Sequence, residues 1–224
     1  MGLFDRLFGG GARRSGSDIS PDVQAAFEKI ESFMLLEATQ NSMYSAALQQ
    51  RMAAGGAVDE IAGAAGEFGR DVRNPIPVNG FIGELVYISR MVLPGGGSMM
   101  GHCLGSIDTI DVYETVALDG SRWDLLFFDL YHMRKSKHLP SGYQGTRARQ
   151  PFFLATNFAV PAFPLSMYAA ISDCTARVLG MPVVSPQLRE EGLFQGFSRP
   201  LGHLRKVEAL RLHSRRLAKG GSAE

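Results

Sequence analysis

Asp129 and His132 come closest, by residue type and spacing, to a pair that could do acid–base chemistry. A carboxylate beside an imidazole can orient the ring and raise its pKa, which prepares it for proton transfer near neutral pH. The pair follows an apolar run, Trp123-Asp124-Leu125-Leu126-Phe127-Phe128, and precedes a basic stretch. It therefore stands where a strand emerges from the core. His138 lies six residues beyond His132, and His102 lies upstream, followed by Asp108, Asp111 and Glu114. If the strand ends meet, His102, Asp129, His132 and His138 make a nitrogen/oxygen set suited to a metal ion. The spacing matches no compact motif such as H-E-x-x-H. The expectation is an Asp129–His132 hydrogen bond, a solvated His138, and no metal.

Other chemistries find less support. There is no G-x-S-x-G nucleophile elbow. Cys103 adjoins His102, but catalytic pairs meet in space rather than in sequence. Gly95-Gly96-Gly97 lacks the Gly-Lys-Ser/Thr end of a phosphate-binding loop, and no dinucleotide fingerprint is present, so no cofactor is expected. The two cysteines, Cys103 and Cys174, are far apart, which fits buried thiols in a reducing compartment rather than a disulfide framework.

The elements that would position these residues read as α+β: N-terminal helices, a central antiparallel β-meander, and C-terminal helices. Ser20-Pro21-Asp22 is a helix start. Val23, Phe27, Ile30, Met34, Asn41, Tyr44 and Leu48 then keep near-helical spacing, which predicts one helix from 21 to about 52. A weaker helix is expected over 57–69. Residues 74–80 are extended, because a residue before proline is pushed out of the α region. Segment 81–93 reads as helix, with Phe81, Leu85, Ile88 and Val92 on one face. Strands follow at 99–104, 109–118 and 122–131, the last two joined by the hairpin signal Asp119-Gly120. Phe127 belongs to a packed core in this scheme. Helices are expected over 165–179 and from about 200 to 217. Residues 151–172 carry no charge, but Pro151, Pro161 and Pro164 make a buried core segment a better reading than a membrane span.

Residues 1–18 read as a separate unit, with 19–224 as one globular domain. Leu3, Phe4, Leu7 and Phe8 form the apolar face of a short helix. A Gly/Ser/Arg linker containing Arg13 and Arg14 follows it. The charge is split: residues 1–129 carry 9 Lys/Arg against 17 Asp/Glu, and residues 130–224 carry 14 against 5. The basic patch consists of Arg134, Lys135, Lys137, Arg147 and Arg149, with Arg205, Lys206, Arg211, Arg215 and Arg216 near the C-terminus. Such patches suit phosphate, anionic lipid or an acidic protein face. Aromatic residues for base stacking are scarce there, so sequence-specific nucleic-acid recognition is not expected.

The order of helices followed by a three-strand meander resembles ligand-sensing PAS-like domains in architecture, and that resemblance assigns no site residues. The leading expectation is a non-catalytic adaptor, cytoplasmic and peripheral at a membrane or larger assembly. It would dock through Leu3, Phe4, Leu7 and Phe8 to a protein partner or an anionic membrane surface. The long N-terminal helix is the candidate surface for a homodimer. The alternative is a small-molecule- or phosphate-handling enzyme or PAS-like sensor, which requires His102, Asp129 and His132 to converge.

Overall fold

The computed structural model describes residues 35–146, 155–179 and 197–220. The chain divides into two compact units: Met1–Ser32 with Val160–Phe197, and Phe33–Ala159 with Ser198–Glu224. The protein is mixed α/β, with a mixed, mostly antiparallel sheet and several helices.

In the larger unit the expected continuous helix up to residue 52 is broken. Helix α1 spans Glu37–Asn41 and helix α2 spans Ala46–Gly55, with a turn between them. Polar residues in the apolar stripe make tertiary bonds instead of continuing the helix. The Asn41 amide donates to the Met133 carbonyl at 2.9 Å. The Tyr44 hydroxyl donates to the Asn79 carbonyl and accepts from the Ile82 N–H, both at 3.0 Å. Ser45 caps α2 by accepting from the Leu48 N–H. Residues 21–34 of that expected helix lie outside the described residues. The second expected helix, over 57–69, does not form, and the segment runs as bends and turns. Gly69 adopts φ 73°, a left-handed conformation that ends helical progress, and its carbonyl accepts the Phe127 N–H at 2.9 Å. The segment is thereby tied to the sheet edge.

The proline-dictated stretch supplies strand β1, Ile76–Pro77. Helix α3, Gly80–Arg90, forms within the expected 81–93 segment but stops before Met91–Val92, which is strand, and it is buried at nearly every position rather than along one face. Strand β2, Met91–Val92, leads to the turn at Pro94–Gly97. The meander is present: β3 Met99–Ile107, β4 Ile110–Ala117 and β5 Trp123–Asp129. Asp119-Gly120 closes the second hairpin, with Gly120 at φ 74° and its N–H donating to the Ala117 carbonyl. Two short strands follow, β6 at Gln144–Gly145 and β7 at Ala155–Thr156. The sheet order is β1-β5-β4-β3-β7, and both edge strands run parallel to their neighbours. Those parallel edges go beyond the purely antiparallel meander expected. Strands β2 and β6 form a separate pair.

Strand alternation gives the sheet two buried faces. On one, Met99, Cys103, Tyr113, Ala117, Leu126 and Phe128 pack with Leu85 and Ile88 of α3. On the other, Val112, Leu125 and Phe127 pack with Val207 and Leu210 of the long C-terminal helix α5, Leu201–Gly220. In the smaller unit, helix α4 spans Met167–Leu179, with Met167, Tyr168 and Ile171 buried. Among the described residues no helix is long and apolar enough to cross a membrane.

Candidate functional site

Among the described residues, a cluster of ionisable side chains centred on Glu114 lies on the α5 side of the sheet. Register brings His102 of β3 directly opposite Glu114 of β4. Both side chains are fully buried, and His102 Nε2–H donates to Glu114 Oε2 at 2.9 Å. Arg199, which leads into α5, meets both carboxylate oxygens: Nη2 donates to Oε2 at 2.9 Å and Nε lies 2.6 Å from Oε1. His203, in the first turn of α5, contacts Oε1 through Nε2 at 3.0 Å. Trp123 of β5 lies against both the Arg199 guanidinium and the His203 ring. Burial pulls the Glu114 pKa upward. The bonds from His102 and His203 and the charge of Arg199 outweigh it and hold the carboxyl at about 2. Burial keeps His102 below its ordinary range despite Glu114, and the charges of Arg211 and Arg199 push the same way. The result is an ionised carboxylate clamped by a neutral imidazole and an arginine, and it fastens α5 to the sheet.

Asp129 and His132 do meet. His132 Nε2 lies 3.3 Å from Asp129 Oδ2, a close contact that falls short of an aligned hydrogen bond. The ring's other nitrogen, Nδ1, donates to the Gly55 carbonyl at 3.0 Å. Gly55 must be glycine there, because a Cβ would sit 1.8 Å from the Tyr131 carbonyl oxygen. Burial raises the Asp129 pKa, but the His132 ring, the Tyr131 N–H and the Arg51 charge bring it below its usual value. With one nitrogen on a helix-end carbonyl and the other on a carboxylate, His132 joins α2 to the end of β5.

The postulated four-residue set does not assemble. His102 pairs with Glu114, which faces Leu125, whereas Asp129 faces Ile110 at the far end of β5. That is about 13 Å along the strand at ~3.3 Å per residue, and further across the sheet. His138 is exposed and contacts Glu60 at 2.9 Å. Among the described residues no group of three His, Cys, Asp or Glu is arranged to hold a metal ion.

The basic loop is partly neutralised. Arg134 pairs with Asp59 at 2.6 Å. Lys135 is buried, 3.0 Å from Glu37 and donating to the Gln40 side-chain oxygen Oε1 at 3.2 Å. Burial drives its pKa down, and Glu37 only partly restores it. Lys137, Arg205 and Lys206 are exposed, and Arg211 is half-buried. Arg215 and Arg216 fall in the last turns of α5, with their side chains outside the described ones. Arg147, Arg149 and the docking residues Leu3, Phe4, Leu7 and Phe8 lie outside the described residues altogether.

Sequence reasoning missed a second buried acid, on the opposite face. Glu84 of α3 is fully buried and accepts from the Tyr113 hydroxyl at 2.9 Å. Burial, and then the charge of Asp111, push its pKa well above the usual carboxylate range. The only available signal was a lone acid in an otherwise apolar helix, Phe81-Ile82-Gly83-Glu84-Leu85-Val86. Cys103 adjoins this group, and burial raises its thiol to about 12, so it is inert as a nucleophile near neutral pH. Because the folded pKa of Glu84 lies above the unfolded one, its contribution is fully present below about pH 4.3 and is lost as pH rises toward the folded value. Glu84→Gln is therefore expected to flatten the decline of Tm with rising pH. Thermal melts from about pH 5 to 8 test it, and parallel curves for the two proteins would reject a protonated Glu84.

Comparison with protein-family models, curated proteins and solved structures finds no match in any of the three.

Proposed function

We propose that this chain is a non-catalytic interaction protein, cytoplasmic and peripheral, that docks through its N-terminal amphipathic segment to a membrane surface or larger assembly. One observation carries the reading: the groups offered for chemistry are bonded into the framework. His102 serves Glu114, and His132 joins Asp129 to the Gly55 carbonyl. In this reading the meander, with helices before and after it, is the body that meets a partner. Leu3, Phe4, Leu7 and Phe8 supply the attachment, and the triglycine linker lets them act apart from the body. Burying each of these side chains is worth roughly 1.5–3 kcal/mol, and ordering the segment offsets part of it. What remains suits reversible attachment. Deleting residues 2–8 is expected to leave Tm unchanged and to move the protein out of the membrane or large-complex fraction. A Tm lower by several degrees with unchanged fractionation would make the segment part of the core and remove this reading.

A further inference from the structure

We infer that the outward face of α5 is a second contact element, for an anionic phospholipid bilayer. The inference rests on the peripheral-docking reading above and extends it to a different part of the chain. Val207 faces the sheet and is fully buried, which fixes the rotation of the helix. Away from the sheet the helix presents Leu201, Arg205, Glu208 and Leu212 at helical spacing, and Lys206 is exposed on the other flank. Leu201 is 74% exposed and Leu212 55%, unusual values for leucines in a helix that has a core to pack against. The helix carries Arg205, Lys206, Arg211, Arg215, Arg216 and Lys219 against the single acid Glu208. Two exposed leucines, with Arg205 between them and Lys206 exposed on the flank, suit a helix lying in a headgroup layer, aliphatic groups inserted and cations reaching the phosphates. Nucleic acid is a poorer fit. The exposed leucines add nothing to phosphate contacts, and α5 contains no Phe, Tyr or Trp on which a base could stack.

The test is co-sedimentation of the full-length chain with phosphatidylcholine vesicles, with and without roughly one-third phosphatidylserine. Two variants carry it, Arg205→Gln/Lys206→Gln and Leu201→Ser/Leu212→Ser, each made in the whole chain and in the chain lacking residues 2–8. All four positions are exposed, so folding should be retained, and a melt of each variant confirms it. At low salt the charge variant is expected to bind phosphatidylserine vesicles about thirtyfold more weakly, the equivalent of about 1 kcal/mol per charge. The leucine variant should also bind more weakly, and binding should fall as salt rises. Loss in the α5 variants with no effect of the N-terminal deletion supports α5 and removes the membrane arm of the N-terminal reading. Wild-type affinity in both variants overturns the inference, and the N-terminal reading survives if the deletion alone releases the protein. Failure of the wild type to bind phosphatidylserine vesicles also overturns it.

Discussion

Replacing Glu114 by Ala is expected to destabilise the larger unit by about 3–5 kcal/mol, the usual result of removing one partner from a buried ion pair. The carboxylate is wholly buried, and three side chains, one from β3 and two from the start of α5, converge on it. Without it, Arg199 loses both of its contacts with the Glu114 carboxylate in a largely buried place, and His102 loses the acceptor for its Nε2–H. Glu114→Gln separates the two contributions, because it preserves shape while removing charge. It should cost less than Ala while still removing the charge that faces Arg199. The pH dependence supplies a second readout. The folded pKa of Glu114, about 2, lies below the unfolded value. Its contribution is therefore complete above about pH 4.3 and is lost as pH falls toward the folded pKa. The wild type should lose stability through that acid window, and the Gln variant should lose markedly less. Hydrogen exchange should show α5 amides opening first, since Arg199 and His203 hold its N-terminal end. Urea denaturation placing both variants within about 1 kcal/mol of wild type would mean that Glu114 does not hold the helix.

The parts of this arrangement that were legible in sequence were local. Asp119-Gly120 and the apolar run from Trp123 to Phe128 define one hairpin with no information from elsewhere in the chain. Prolines at 75 and 77 define the extended entry to α3. The Glu114 site was legible only as separate members. His102 and Glu114 both stood among the candidates, yet pairing them requires the register. Counting back from the observed partners Ile107 and Ile110 along a regular ladder puts His102 opposite Thr115. The irregularity between Cys103 and Gly105 shifts the count by one and brings Glu114 opposite instead. One residue of slip exchanges the faces of a strand, so the site depends on a bulge that local sequence does not announce. Arg199 and His203 arrive from 85 and 89 residues away, beyond any spacing argument. The long-helix expectation failed for a related reason. Asn41 and Tyr44 fitted the helical period, but their polar atoms had distant partners at Met133 and Asn79, and those bonds decided the backbone. Lys135 read as a surface cation because nothing nearby in sequence showed that Glu37 and Gln40 would enclose it.

Phe128→Ala is expected to cost about 3–5 kcal/mol, and more than Phe127→Ala, although the two residues are neighbours of the same type. The pleat sends them to opposite faces of β5. Phe128 is fully buried and meets Tyr87 at 5.7 Å and Tyr113 at 5.3 Å, both edge-on. Each such aromatic pair adds about 0.5–1.5 kcal/mol to simple burial. Tyr113 also donates to Glu84, so a cavity at Phe128 loosens the support of a buried acid as well. Around it β5 is paired on both sides, Phe128 facing Ile76 of β1 and Asp111 of β4, so the backbone has little freedom to collapse into the void. Phe127 retains 8% exposure and packs with Val112, Leu125 and Val207 beneath α5, a helix that can settle toward the sheet when a side chain is removed. Its replacement should therefore act mainly on α5, raising hydrogen exchange there while leaving α3 protected. Phe128→Ala should instead lower protection across α3 and the meander together. Phe128→Leu restores most of the volume without the ring and should recover the burial share while the aromatic share stays lost. Chemical denaturation of the three variants decides the matter: if Phe127→Ala proves the more destabilising, the heart of the core lies on the α5 side and not where Tyr87, Tyr113 and Phe128 meet.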